Sequence, residues 1–368
     1  MFKFREVFLL AFFVAVFLTP LLRVMAFKLG LLDHPKAHGI HEHPVPRLGG
    51  VAIYTAFVIG ALCRMDLSHQ LKGVLVGATL IFGVGLIDDI FHLRAKFKLF
   101  IQTVALGIMI FKYGVVLEIF PNLFLNAFFT ALGIIGITNA VNFLDNMDGL
   151  SSGIVAISGF TIFMMAYATE QLWLGYLTMA LVGAASGFLV FNLKKAHIFM
   201  GDSGSTFLGF TLASLAVMAE WSRHAAVTLA VPILILGVPI LDMTLITVLR
   251  IKEGKVRNWK EWIDYTGKDH LSHRFARLGL GERGAVFAIW ALQILFCGIA
   301  WMILFRSSFY GILGLLFYVL TTFGIILFFR KRRVFLLSWN KRSLKSKPPR
   351  VSPPNKTIIH DGEVVLKV

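Results

Sequence analysis

Runs of about twenty consecutive apolar residues constrain this chain most, because a helix of that length crosses about 30 Å of hydrocarbon. Eleven such runs lie near 6–28, 48–65, 71–87, 98–116, 121–140, 150–168, 171–190, 204–220, 225–249, 285–305 and 309–329. Backbone groups inside a bilayer must be satisfied within the chain, so the pattern predicts an all-α polytopic membrane protein of about 11 transmembrane helices. Composition agrees: of 368 residues 57% are hydrophobic and only 15% charged, and the mean hydropathy is +0.77. Soluble domains carry about 25% charged residues. The first run follows Lys3 and Arg5, is too long for a signal-peptide core and lacks a small-x-small cleavage site, so it reads as a retained span. The split around Glu170 is the least marked of the boundaries.

An odd number of spans puts the termini on opposite sides, and Lys+Arg counts then orient them. The set formed by 28–47, 88–98, 139–150, 191–205, 250–284 and the tail from 330 carries 28 basic residues, against seven in the other set. The C-terminus is therefore expected in the cytoplasm and the N-terminus outside. The charge of +16 reads as this asymmetry plus attraction for anionic headgroups, not as a nucleic-acid surface. Fourteen of the twenty acids fall in the cytoplasmic set, so the chemistry is expected at that face. Residues 1–330 read as the transmembrane domain and 331–368 as a basic cytoplasmic tail. Cys63 and Cys297 both sit in apolar runs and read as small buried hydrophobes.

Five cytoplasmic loops concentrate the polar residues. The first, 32–50, holds four His, Asp33, Lys36 and Arg47 on a path stiffened by three prolines, with His41 and Arg47 read as facing an anion. In the second, the adjacent carboxylates of Asp88 and Asp89 at a span boundary require relief by a cation or a proton. In the third, Asn139, Asn142, Asp145 and Asp148 recur every three residues, which predicts a polar stripe on one helical face. In the fourth, Gly201-Asp202-Ser203-Gly204 opens a span, a place where free N–H groups cradle an anion and Asp202 suits a hard cation. In the fifth, Asp269, His270, His273, Arg274 and Arg277 form a cluster better suited to a diphosphate than to zinc, which lacks a third ligand. Asp242 is an intramembrane acid with Thr244 and Arg250 as its nearest candidate partners. This inventory fits Mg²⁺-dependent phosphoryl chemistry on a nucleotide substrate, with a lipid as the second substrate.

The ordered motifs D-x-P…PRxGG, GxxDD, NAxNFLDxxDGL, FNxxxAxIFMGDxGSxFLG and DHLSHR, over about residues 30–280, resemble the polyprenyl-phosphate N-acetylhexosamine-1-phosphate transferases. The resemblance implies transfer of a sugar 1-phosphate, GlcNAc-1-phosphate above all, from a UDP-sugar to undecaprenyl phosphate with release of UMP. That is the first membrane step of a cell-envelope glycan, on the cytoplasmic face of the bacterial inner membrane. It further implies Asp202 and Asn142 at Mg²⁺ (Mn²⁺ as a substitute), and Asp88, Asp89 and Asp145 as catalytic carboxylates. Asp148, Asn192, Phe199 and Asn146 would meet uridine, with Phe199 stacking on the base. His270, His273 and Arg274 would hold the sugar diphosphate, and Lys98, His41 and Arg47 the lipid phosphate. Homodimerisation is expected by analogy alone. A phosphate monoester has a second pKa of about 6, so Asp88 is expected to position the nucleophile or the metal rather than to act as an obligatory base.

Three departures stand out. Asn146 replaces a Gly common in the DGxDGL motif, and Ser272 replaces one imidazole of the last motif. The His-His-His-x-Glu signature of the branch that takes UDP-MurNAc-pentapeptide is missing. A small UDP-amino sugar is therefore the expected donor. The alternative, a transporter of lipid-linked or nucleotide sugars, needs polar midplane sites, and the span interiors are nearly free of charge. A nucleotide-sugar diphosphatase would have to admit water to the β-phosphate.

Overall fold

The computed structural model describes residues 2–33, 44–63, 68–193, 195–258, 261, 267 and 269–345. His41 and the tail from 346 lie outside the described residues. The chain divides into two units, Met1–Ile325 and Ile326–Val368. The helices in order are α1 (Phe2–Leu29), α2 (Gly49–Leu62), α3 (His69–Phe91), α4 (Ala95–Gly107, continued by a π-helical turn Ile108–Lys112), α5 (Leu123–Leu144), α6 (Leu150–Ala168) and α7 (Leu172–Asn192). There follow α8 (Gly201–Met218), α9 (Ala225–Ile235), α10 (Gly237–Lys252), α11 (Leu271–Phe275), α12 (Gly281–Ile303) and α13 (Ser308–Lys345). A two-stranded antiparallel ribbon, β1 (Leu32–Asp33) with β2 (Val45–Pro46), pairs Asp33 with Val45.

Seven helical stretches are long and apolar enough to cross a membrane, or eight if the bent pair α9–α10 is one span. They cover the expected runs except 48–65, 98–116 and 204–220. Those three fall on α2, which has 14 residues, on α4 with its π-helical turn, and on α8. Among these, α8 is polar at its start yet buried from Ser203 to Ala216, ringed by α2, α3, α5, α6 and α7. A helix that meets protein on all sides needs no apolar exterior, which is why α8 can carry Gly, Ser and Thr along its buried length. Elsewhere the apolar side chains that stay exposed, such as Phe17, Phe124 and Phe323, belong to a surface made for lipid. Thr169–Gln171, with Glu170 at φ 59°, separates α6 from α7 as expected, and the two pack against each other. Cys297 is buried, but Cys63 is exposed. Cys63 caps the C-terminal end of the short helix α2.

The bend between α9 and α10, 77°, frees backbone groups that the bundle recaptures. The Gln293 side chain donates to the Ile235 carbonyl (2.7 Å) and accepts from Val238 N–H (3.1 Å). Ser158 Oγ also donates to Ile235 O (2.9 Å), and Tyr318 Oη to Gly237 O (3.0 Å). Broken helices survive at membrane depth only with such partners. The bend aims α10 at the segment that begins at Asp269.

The ribbon end and the start of α8 are laced together. Phe199 N–H donates to Pro46 O (2.8 Å), Gly49 N–H to Phe199 O (3.0 Å) and Gly50 N–H to Met200 O (2.9 Å). The contact is so close that a Cβ on Gly50 would lie 2.3 Å from Gly204 N and from Ser203 Oγ. Gly50→Ala is therefore expected to destabilise the protein by about 1–3 kcal/mol, the usual range for an overpacked site. A melting temperature in detergent equal to that of the wild type would contradict this packing.

Candidate active site

Helix α8 begins at Gly201, which adopts φ 70° and lies so close to Asp89 that a Cβ there would sit 2.5 Å from a carboxylate oxygen. The first N–H groups of any helix lack partners within the helix. Here Asp89, from the end of α3, supplies them. Its Oδ1 accepts from Asp202 N–H (2.7 Å), and its Oδ2 from Ser203 N–H (3.0 Å) and Ser203 Oγ (2.6 Å). The anion cradle expected at this helix start is thus filled by the protein's own carboxylate. Asp89 thereby holds the backbone of Asp202 in place.

Lys98 joins the two remaining acids. Its ammonium lies 2.9 Å from Asp88 Oδ2 and 2.7 Å from Asp202 Oδ2. Asp88 Oδ1 accepts from Leu93 N–H at 2.6 Å, so both of its oxygens are engaged. Asn142 Nδ2 reaches Asp202 Oδ2 at 3.5 Å, while its Oδ1 accepts from Ser205 Oγ (2.7 Å). Around this group Ile87, Ile90, Phe91, Phe97 and Phe100 remain exposed, an apolar flank beside the ammonium.

Next to Asp202 opens a cavity of about 270 Å³ lined by Asp33, Arg47, Asn142, Asp145, Asn146, Met147, Asp148, Asn192, Phe199, Gly201, Asp202 and Glu282. Five carboxylates therefore face one guanidinium, and Arg47 is itself paired with Asp33 (3.0 Å). Burial pushes the Asp145 carboxyl well above the ordinary range, and the charges of Asp202, Asp89 and Asp148 add to this against Arg47. Among the described residues no three His, Cys, Asp or Glu side chains form a closed metal cage. Mg²⁺ does not need one, since it is held by one or two carboxylates together with substrate phosphates.

The structure brings together the expected residues Arg47, Asn142, Asp145, Asn146, Asp148, Asn192, Phe199 and Asp202 in this lining. The polar stripe is not one helical face: α5 ends at Leu144, and Asp145 and Asp148 lie in the following turns. Asn139 turns away, donating to Gln102 Oε1 (3.0 Å). Asn192 is buried and already committed, accepting from Gly149 N–H (2.9 Å) and donating to Ile198 O (3.1 Å). Asp148 accepts from Ala196 N–H (2.9 Å). Both side chains hold the segment that leads into Phe199. Arg47, grouped with the lipid phosphate in the sequence reading, forms a backbone bridge with Phe199 and faces the cavity.

His270, His273 and Arg274 lie outside the lining, on a segment hung from α10. Asp242, fully buried, accepts from Leu271 N–H (2.6 Å) and pairs with His270 Nδ1 (2.7 Å). Its partners are thus not Thr244 and Arg250. Arg250 forks onto Asp269 (2.9 and 2.6 Å), and Arg274 Nε donates to Asp269 O (2.7 Å). Burial works against the Asp269 charge, but the Arg250 fork and its charge hold the carboxyl below its usual range. Asn146 and Ser272, the two substituted motif positions, meet: Ser272 Oγ donates to Asn146 Oδ1 at 2.6 Å.

Sequence reasoning missed Asp33 and Glu282 as cavity residues. The signal for Asp33 was an acid a short stiffened loop away from Arg47. For Glu282 it was the pair Gly279 (φ 96°) and Gly281 (φ 66°), which turns the chain before α12.

Residues 71–220 match the model of glycosyl transferase family 4. The chain is 33% identical over 299 residues to a probable undecaprenyl-phosphate N-acetylglucosaminyl 1-phosphate transferase of Bacillus subtilis, covering 78% of this chain and 82% of that protein. The chain belongs to this transferase family. A decaprenyl-phosphate N-acetylglucosaminephosphotransferase of Mycobacterium tuberculosis is 29% identical over 77% of this chain and 78% of its own length. An undecaprenyl-phosphate alpha-N-acetylglucosaminyl 1-phosphate transferase of Escherichia coli is 25% identical, over 73% and 75%. The family match spans α3 to α8, the stretch that carries the Asp88–Lys98–Asp202 group.

Asp89→Asn would turn an NH₂ toward N–H groups that now donate to it. A stability loss of about 1–3 kcal/mol is expected, as for a buried donor left unpaired. Turnover should fall with it, because Asp202 loses its support. Unchanged melting and turnover in detergent would show that the cap is dispensable.

Proposed function

We propose that this protein transfers N-acetylglucosamine 1-phosphate from UDP-GlcNAc to undecaprenyl phosphate, releasing UMP. The observation that carries the reading is the Asp88–Lys98–Asp202 group, set between an apolar flank and a cavity holding Phe199. A lipid phosphate arriving along the flank meets Lys98. A nucleotide entering the cavity meets Phe199, Arg47 and Asp148.

The lining supports a divalent cation on charge alone. Even without Asp145, the carboxylates of Asp33, Asp148, Asp202 and Glu282 outnumber the one arginine and would repel a nucleotide diphosphate, a balance that Mg²⁺ would reverse. Asp202 would hold it, with Asn142 beside it and the donor's phosphates completing the shell. Ser205 Oγ lies within reach of both Asn142 Oδ1 and Gly201 O (2.9 Å), so the hydroxyl can keep its bond to the latter while the Asn142 amide turns its oxygen to the cation. When bound, Mg²⁺ offsets the negative charge that develops on the diphosphate.

The remaining work falls to side chains. Lys98, which lies between Asp88 and Asp202, would hold the lipid phosphate against the β-phosphorus, while Asp202 would serve the cation. Asp88 anchors Lys98; with a second phosphate pKa of about 6 the nucleophile is largely deprotonated already and needs no strong base. Attack forms the new P–O bond, the bond to UMP breaks, and His270, His273 and Arg274 steady the sugar phosphate. Positioning and charge account for most of the acceleration in phosphoryl transfer.

Lipid-dependent UMP release that EDTA abolishes, with a GlcNAc-diphospholipid identified by mass, is the expected outcome for purified protein. Asp202→Asn should reduce turnover at least about a hundredfold, the scale seen when one charge-stabilising group is lost. UMP release close to the wild-type rate would remove Asp202 from this role.

Eleven crossings follow if α2, α4 with its π-helical turn and α8 count with the seven long helices and the bent pair. The N-terminus then lies outside, and the site and the C-terminus face the cytoplasm of the inner membrane. The excess of basic residues on the site side supports this. Cys63 lies at the opposite end of α2 from Gly49, so it should face outward. In right-side-out vesicles a membrane-impermeant maleimide should label Cys63 and spare buried Cys297. Labelling of Cys63 only in inverted vesicles would reverse the orientation.

A further inference from the structure

Gln102 is a buried polar side chain in the apolar part of α4, while Phe97, Phe100 and Val104 of the same helix are exposed. Its Oε1 accepts from Asn139 Nδ2 of α5 at 3.0 Å. The same amide nitrogen donates to Ile135 O, one turn back in α5, at 2.8 Å. Asn139 is thus braced against its own helix while it reaches across to α4.

The two ends of this bond stand next to the catalytic group. Gln102 follows Lys98 by four residues and Asn139 precedes Asn142 by three, spacings that put each pair on one helical face, one turn apart. Lys98 and Asn142 are the side chains through which α4 and α5 reach Asp202, at 2.7 and 3.5 Å. Gln102, Ala105 and Leu106 are the buried residues of α4, and Gln102 is the nearest of them to Lys98. The start of the helix is joined to α3 by the short link His92–Arg94. Among lipid chains an apolar helix gains little from one facing over another, so close packing and polar contacts between helices set its rotation. A turn or slide of α4 that parts the two amides strands a buried acceptor, and the bond resists it.

We propose that Gln102 is a positioning residue for Lys98. Its bond to Asn139 sets the rotation and height of α4 against α5, and so holds the ammonium where it meets both Asp88 and Asp202. The proposal rests on the reading that Lys98 meets the lipid phosphate, and it assigns to a residue one turn away the place of that meeting.

The test measures UMP release by the full-length protein in detergent, varying undecaprenyl phosphate at saturating UDP-GlcNAc and then the reverse. Gln102→Leu keeps much of the bulk and removes the acceptor. It should raise KM for the lipid about three- to thirtyfold, the reach of one hydrogen bond between membrane helices, and leave KM for UDP-GlcNAc within about twofold. The donor is spared because Phe199, Arg47 and Asp148 lie on elements other than α4. Asn139→Leu should raise the lipid KM likewise. The double variant should be no worse than the weaker single variant, since both substitutions cut one bond.

An unchanged lipid KM in Gln102→Leu, a donor KM that rises in step with it, or single effects that multiply in the double variant overturns the proposal. If Gln102→Leu does not fold, Gln102→Asn is read in its place. Its amide is one methylene too short to reach Asn139, so the same lipid-selective rise is expected and an unchanged lipid KM again overturns the role. A wild type that releases no UMP with these substrates defeats the functional reading and this proposal together. A wild type active on them with kinetically unaltered variants defeats the positioning role alone.

Discussion

The site depends on one contact, the Asp89 carboxylate at the start of α8. That helix runs through the middle of the bundle, buried from Ser203 onward, and its first N–H groups turn to Asp89. An unpaired N–H there is expensive, and the positive end of the helix dipole favours an anion. Asp89 answers both demands. Because the bond runs to Asp202 N–H and Ser203 N–H, it fixes the backbone from which the Asp202 side chain projects. The adjacent carboxylate of Asp88 then goes to Lys98, so neighbouring acids of one sequence motif do different work.

A second constraint comes from the far end of the chain. The basic segment is too short to hold its own position, with α11 only five residues long. Its shape is borrowed from α10, which offers a buried carboxylate and a guanidinium about two turns apart. α10 can reach it because the α9–α10 span is broken and the break is satisfied by Gln293, Tyr318 and Ser158. The polar side chains within the bundle therefore do structural service for loops at its end. The sparse charge of the span interiors has the same origin: a carboxylate such as Asp242 is tolerated there only because it meets an N–H and an imidazole.

Much of this was legible before any coordinates. Apolar runs of about twenty residues announced a polytopic helical protein, and the polar residues between them marked five loops at one face. Asp202, Asn142, Asp145, Asp148 and Phe199 were named from the residues and motifs of those loops, and they do share a cavity. The spacing of Asn139, Asn142, Asp145 and Asp148 misled in one respect, because the three-residue period does not say where a helix stops. The N–H groups at the head of α8 looked free for a phosphate, because their partner lies more than a hundred residues away. Burial of Cys63 was inferred from apolar neighbours in sequence, and those neighbours end with the helix.

By itself the sequence determined the helical membrane class, the face that carries the chemistry and the residue types available there, since all three follow from local hydrophobicity, charge and motif order. The tertiary structure alone decided that Asp89 caps α8, that Asp88 anchors Lys98 and that Asp202 lines the cavity. It also decided that Asp242 serves His270, that Arg47 lines the cavity beside Phe199, and that Asn146 meets Ser272. These assignments depend on hydrogen bonds a few ångströms long between helices far apart in the chain. Which donor finds which acceptor is settled only when close packing leaves each buried polar group a single partner within reach.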